Sequence, residues 1–221
     1  MLKDMLRAEI REIEIPPLGL PGTLRVPDSA FALIVFAHGS GSSRHSPRNV
    51  MVAEALNRAG MATLLFDLLH PGEEAADNRA KVFDIPLLAM RLIDAVRWID
   101  NQKLLSRLPL GLFGASTGAA AAIVAAAELG DRIGAVVSRG GRPDLARTGL
   151  DRLRAATLLI VGGDDYGVID LNEAAYARIG ALKSLEIVPG ATHLFPEPGA
   201  MERVIALASE WFERHLRTSP T

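Results

Sequence analysis

Cysteine is absent from all 221 residues. That excludes disulfides, a thiolate zinc site and a cysteine nucleophile. The absence fits a reducing compartment, so a cytoplasmic protein is expected. Excess positive charge is also missing: 24 Lys and Arg face 26 Asp and Glu, for a net charge of −2. A nucleic-acid partner would want a basic surface, so none is expected. Long hydrophobic runs are missing too. The longest low-polarity stretch, Gly118 to Ala127, is mostly alanine and too short to span a bilayer, so no membrane partner is expected. The first seven residues, Met1 to Arg7, carry charge throughout and lack the apolar centre of a signal peptide.

What is present suits a folded enzyme. Apolar residues make up 49% of the chain and charged residues 23%. That composition supports a large core and argues against disorder. We expect one domain over residues 1–221, as a monomer or homodimer.

Ile10, Ile13 and Ile15 lie among Arg11, Glu12 and Glu14, and Pro16-Pro17 closes the stretch. With Thr23 to Val26, this predicts an antiparallel lead-in. From Phe31 the texture changes. Phe31–Ala37, Met61–Phe66, Leu110–Phe113, Ile133–Val137, Thr157–Val161 and Leu185–Val188 are short apolar runs, as in strands buried on both faces. Between them lie helical segments. One begins at Ser46-Pro47, one runs from about Ile85 to Asn101, one from Ala119 to Leu129, and one from Gly199 to about Arg217. Asp170-x-x-Glu173 predicts a capping-box start for another, with Asp170 as its cap. Strands alternating with helices predict an α/β fold: a mostly parallel open sheet of about eight strands with helices on both faces.

One pentapeptide carries chemistry. Gly114-Ala115-Ser116-Thr117-Gly118 reads G-x-S-x-G between a predicted strand and a predicted helix. A serine on so tight a turn is pushed clear of the sheet, and the flanking glycines leave room for the bend. Serine needs a base, and the base needs an orienting acid; in such folds the chain order is nucleophile, acid, base. Only His193 and His215 follow Ser116. His193 lies in the loop Pro189–Phe195, just past the last predicted strand, at the sheet edge where α/β folds bind ligands. His215 sits on a terminal helix, where we expect it to be solvated. Asp164, Asp165 and Asp170 follow the penultimate strand. With Asp170 read as a cap, the adjacent pair remains. Asp165 is preferred because it lies one residue further into the loop.

The developing oxyanion needs amide donors. Thr117 N–H supplies one at the helix start. The loop His38–Ser43 is the place for the second, and Ser40 N–H is the candidate. His38 directly ends its strand and reads as structural. No Gly-Lys-Ser/Thr follows this loop, so it is not a nucleotide-binding loop.

The segments FAHGSGSSRHSPRN, GLFGASTGAAAA, VVSRGGRPDL, LLIVGGDDYGVIDLN and VPGATHLF resemble the α/β-hydrolase superfamily. More narrowly, they are similar to its small, uncapped, dienelactone-hydrolase-like branch. The resemblance runs from about Phe31 to Arg217. It implies Ser116 as nucleophile, Asp165 as acid and His193 as base. It also implies an oxyanion hole of the Ser40 and Thr117 amides. The Gly162-x-x-Asp165-x-x-Val168 spacing matches the family's acid loop. Dienelactone hydrolases proper use a cysteine nucleophile, so here the resemblance implies serine-ester chemistry. The expected substrates are small carboxylic esters, lactones or thioesters. Acyl transfer or perhydrolysis on the same triad, or a binding module retaining the fold, are the rivals. No cofactor is called for.

Two arginine-bearing loops fall at the same sheet edge, Arg44 and Arg48 in one, Arg139 and Arg142 in the other. Guanidinium groups suit carboxylate or phosphate, so the four are candidates for binding an anionic part of the substrate. The competing reading has them pair with Asp144 or other loop carboxylates as braces. Residues 139–154 are too few for a helical cap, which predicts an open site with residues 67–81 as the one partial lid. His70, Glu73, Glu74 and Asp77 in that lid lack a second histidine at ligand spacing, so no metal is expected.

Overall fold

The computed structural model describes residues 9–70, 72–73 and 80–217. Glu74, Asp77 and part of the expected lid lie outside the described residues. Eight strands form one sheet: β1 (Glu9–Ile15), β2 (Leu20–Val26), β3 (Ala32–Ala37), β4 (Met61–Phe66), β5 (Leu110–Ala115), β6 (Ile133–Arg139), β7 (Ala156–Gly162) and β8 (Lys183–Val188). The helices are α1 (Pro47–Arg58), α2 (Ile85–Asp100), α3 (Thr117–Leu129), the one-turn α4 (Gly149–Arg152), α5 (Tyr166–Arg178) and α6 (Ala200–Leu216). Strand order is β1-β2-β4-β3-β5-β6-β7-β8. β2 pairs antiparallel with both β1 and β4, and every later pairing is parallel. β1 is the exposed edge that its alternating charges predict.

β3, β4 and β5 are buried at every position. Helices on both faces explain why these strands read as unbroken apolar runs. One core lies between the sheet and α2, α3 and α5; the other lies under α1 and α6. Phe36 and Phe113 anchor the second core, with ring centroids 5.0 Å apart. The alanines of α3 have a packing reason. This helix is buried almost all round, at Ala119 to Ile123 and at Ala125 and Ala126, and small side chains let it lie close to the sheet.

Local chemistry sets the helix starts. Ser46 Oγ accepts the Asn49 N–H at 3.5 Å with Pro47 opening α1, and Asp84 Oδ1 accepts the Leu87 N–H at 3.0 Å at α2. The expected cap at Asp170 is wrong. α5 begins at Tyr166, and Asp165, five residues before Asp170, holds the N-cap position. Asp165 does not cap with its side chain, however. Its backbone carbonyl accepts from Val168 and Ile169 instead, leaving the carboxylate free to point elsewhere.

The chain leaves β3 for β4 on one side and later returns to β5 on the other, so the strand order reverses at β3 and β5. The carboxyl ends of these two strands are the topological switch point, where open α/β sheets bind ligands. Residues 139–154 hold only a 3-10 turn (Pro143–Ala146) and α4, which makes no helical cap. Among the described residues, no helix is long and apolar enough to cross a membrane.

Candidate functional site

Ser116 joins β5 to α3 with φ 52° and ψ −122°, backbone angles that a residue with a Cβ rarely adopts. Such a conformation costs of order 1–3 kcal/mol and persists only where its surroundings enforce it. Here three backbone hydrogen bonds enforce it. Ser116 N–H donates to Arg139 O at 3.2 Å, and its carbonyl accepts from Ala119 and Arg142, each at 3.1 Å. The flanking glycines are required sterically. A Cβ at Gly114 would lie 2.4 Å from Ala119 Cα, and one at Gly118 would lie 2.3 Å from Ala37 O. The Ser116 side chain is half-buried at the surface of the switch point.

His193 and Asp165 meet. Asp165 Oδ2 lies 2.7 Å from His193 Nδ1. A carboxylate can only accept, so Nδ1 carries the proton and Nε2 is left as a base. Their loops are laced together by the Asp164 N–H, which donates to Ala191 O at 2.9 Å. Asp164 itself points outward, with the Tyr166 hydroxyl 3.4 Å from its Oδ1. Thr192 Oγ1 donates to Glu197 Oε1 at 2.6 Å, which tightens the same loop and holds the Glu197 carboxyl below its ordinary pKa.

The turn after β6 connects serine to histidine. Its Arg139 and Arg142 backbones hold Ser116 from one side. On the other side, Gly140, at φ 51°, comes so close that a Cβ would lie 2.9 Å from His193 O and 3.6 Å from His193 Nδ1. Asn172, fully buried on α5, donates to Gly141 O at 3.0 Å and so fixes this turn against the sheet. Nothing local in the sequence marks Asn172 as part of the site. Its partner is 31 residues away.

The loop after β3 crosses directly over the elbow, since a Cβ at Gly39 would sit 3.1 Å from Ser116 Cβ. His38 braces that loop. Its Nδ1 lies 3.0 Å from Gly39 O, and its Nε2 accepts the Leu68 N–H at 3.0 Å. The Ser40 N–H, the second oxyanion candidate, donates to Thr117 Oγ1 at 3.0 Å. The buried Thr117 side chain presents this acceptor where the loop crosses the start of α3.

The four arginines divide. Arg44 pairs with Asp67, which also accepts its backbone N–H at 2.7 Å. Arg142 forms a fork with Asp144, at 2.9 and 2.8 Å, and this raises its pKa. Both of those guanidinium groups are engaged by carboxylates. Arg139 is 5% exposed, and among the described residues neither it nor Arg48, on the first turn of α1, has a carboxylate partner. Burial, with the nearby Arg48 charge, pulls the Arg139 pKa down to about 10.

His70 and Glu73 are engaged with each other, and Glu73 with bases. Glu73 accepts the His70 N–H at 3.0 Å and pairs with Arg91 at 3.1 Å and Lys81 at 3.6 Å. Burial works against its carboxylate, but the His70 bond and these cations hold its pKa below the ordinary value. Among the described residues, no group of three or more His, Asp or Glu is arranged to hold a metal. His215 is not solvated as expected. Its ring packs 4.3 Å from Trp211, and Nε2 is buried without a partner.

The sequence model of the family described as alpha/beta hydrolase fold matches residues 32–159. The chain belongs to the α/β-hydrolase family. Within that family, a solved structure of dienelactone hydrolase from Anabaena variabilis is 50% identical, with a TM-score of 0.91, over 96% of this chain and 100% of that one. This α/β-hydrolase therefore falls in the dienelactone-hydrolase-like branch. Est1E from Butyrivibrio proteoclasticus shares the fold at 18% identity and a TM-score of 0.78, over 95% of this chain and 99% of that one. Two curated relatives, from two strains of Mycobacterium tuberculosis, are 56% identical over 96% of this chain and are provisionally named phosphoribosyl transferases. The chain spans about half of their length, 47%.

Proposed function

We propose that this α/β-hydrolase is a serine hydrolase cleaving a small carboxylic ester, lactone or thioester through an acyl-enzyme. The observation that carries the reading is Ser116 at φ 52°, at the sheet edge where Asp165 holds His193. Positive φ at a serine between β5 and α3 is strain with a purpose: it lifts the hydroxyl out of the sheet toward a substrate. A binding module has no use for that strain.

In this reading Ser116 Oγ attacks the carbonyl carbon while His193 Nε2 takes its proton. Asp165 keeps the proton on Nδ1 and stabilises the imidazolium that forms. Negative charge builds on the carbonyl oxygen beside the start of α3. The Thr117 N–H, unmatched within the helix at that position, meets it there. Ser40 N–H joins once it turns from the Thr117 hydroxyl to the stronger acceptor. The tetrahedral intermediate collapses, and His193 returns its proton to the departing alkoxide or thiolate. Water, deprotonated by His193, then releases the acid. The name of the Anabaena neighbour favours a lactone or an ester with a compact alcohol. Phosphoribosyl transfer is not carried over from the mycobacterial relatives, because this chain matches only half of each.

Labelling with a fluorophosphonate, paired with turnover of p-nitrophenyl esters of graded length, tests the proposal. Wild type is expected to label and turn over, and Ser116→Ala to do neither while staying folded. A folded Ser116→Ala protein with wild-type turnover would remove the serine from the mechanism. Product partitioning between water and an added alcohol or peroxide separates hydrolysis from acyl transfer and perhydrolysis.

A further inference from the structure

We propose that Arg48 and Arg139 form a subsite for a phosphate-type dianion beside Ser116. This deepens the hydrolase reading by naming a substrate group. Among the described residues, both buried guanidinium Nε atoms lack a hydrogen-bond partner. Arg139 is 5% exposed, and the one side-chain hydrogen bond it makes among those residues is a long one, 3.4 Å, to Asn49 Oδ1. Its guanidinium stands over the Phe195 ring, 6.0 Å from the centroid, two residues beyond His193. Arg48 lies close enough for its charge to depress the Arg139 pKa.

Three features point the same way. A buried cation without a counter-charge is costly, and a second cation beside it raises the cost. Arg48 and Asn49 are in the first turn of α1, whose amides add partial positive charge. The neighbouring Arg44 and Arg142 each have a carboxylate of their own, and among the described residues Arg48 and Arg139 have none.

The charge count selects the ligand. Two guanidinium groups and a helix N-terminus leave a surplus that one carboxylate only half neutralises. A phosphate monoester carries about −1.5 to −2 at pH 7 and offers three acceptor oxygens to the two forks. Position ties the subsite to catalysis. The Arg139 carbonyl accepts the Ser116 N–H at 3.2 Å, and its guanidinium lies over Phe195, two residues beyond His193.

Binding and turnover are measured separately. Ser116→Ala protein is titrated with inorganic phosphate by calorimetry, at constant ionic strength so that screening does not vary. Arg48→Gln, Arg139→Lys and, as an exposed charge-matched control, Arg154→Gln are made in the same background. Phosphate is expected to bind, and Arg48→Gln to weaken it by about 10- to 150-fold, the span of a lost charge-assisted hydrogen bond. Arg154→Gln is expected to bind like the parent. Matched ester substrates with and without a phosphate monoester on the acyl group are then compared in wild type and Arg48→Gln. A kcat/KM preference for the phosphorylated ester that shrinks in Arg48→Gln assigns the site to substrate. Binding without preference assigns it to free phosphate. No phosphate binding by the parent, or equal binding by Arg48→Gln and Arg154→Gln, overturns the subsite. Phosphate binding with no turnover of any ester by wild type overturns the hydrolase reading alone.

Discussion

Asp165 Oδ2 lies 2.7 Å from His193 Nδ1, while Asp164, its chain neighbour, points away toward Tyr166. One residue separates a carboxylate that can orient the base from one that cannot. Asp165→Asn keeps the shape but offers an amide that favours the wrong tautomer. Loss of up to ~10⁴-fold in kcat is expected, as in the best-studied triad. Asp164→Asn is expected to stay within a few-fold of wild type. Steady-state kinetics on one p-nitrophenyl ester decide it, and equal losses in both variants would refute the assignment.

The strain at Ser116 makes a prediction about stability. Glycine adopts φ 52° without penalty, and the surrounding hydrogen bonds do not use the side chain. Ser116→Gly is therefore expected to raise unfolding stability by about 1 kcal/mol while removing turnover. Denaturant melts with an unchanged slope would measure this. An unchanged or lowered midpoint would mean that the elbow stores no strain.

Features that depend on local pattern were legible in the sequence, and features that depend on distant partners were not. Ala32–Ala37 and Met61–Phe66 could be read as strands because burial on both faces writes an unbroken apolar run. The elbow could be read because its pattern lies within five residues, although the steric demand on Gly118 comes from Ala37 in a distant strand. Asp170 misled because Asp-x-x-Glu is a local cue, whereas the start of α5 is set at Asp165, whose side chain is engaged 28 residues away. The bond from Ser40 to Thr117 spans 77 residues, and Arg44 reaches Asp67 across 23. No local pattern announces either. The same limit hid the split of the four arginines into two paired with carboxylates and two without one among the described residues.

The Ser40 N–H resting on Thr117 Oγ1 at 3.0 Å leaves the threonine proton free to donate elsewhere. We expect that proton to reach the oxyanion along with the two amides. Thr117→Val is expected to lower kcat by about 10-fold, short of the ~10²–10³ of a directly lost donor, and Thr117→Ser to restore it. A Thr117→Val enzyme with wild-type kcat would reduce the hydroxyl to a spacer.

The last prediction concerns pH and lies away from the site. His215 packs on Trp211, with Nε2 buried and unpartnered. Burial, and then the neighbouring Arg214 charge, lower its pKa below the ordinary 6.5. The sign follows from proton binding. As pH falls through 6.5, the unfolded chain takes up this proton before the folded one does, so the unfolded state gains. Stability is thus full above about pH 6.5 and declines below it until the folded-state pKa is passed. His215→Gln removes that titration. Its melting temperature is expected to fall less than that of wild type between pH 7.5 and pH 5, with ester turnover at pH 7.5 unchanged. Parallel profiles for the two proteins would show that His215 is protonated as readily folded as unfolded.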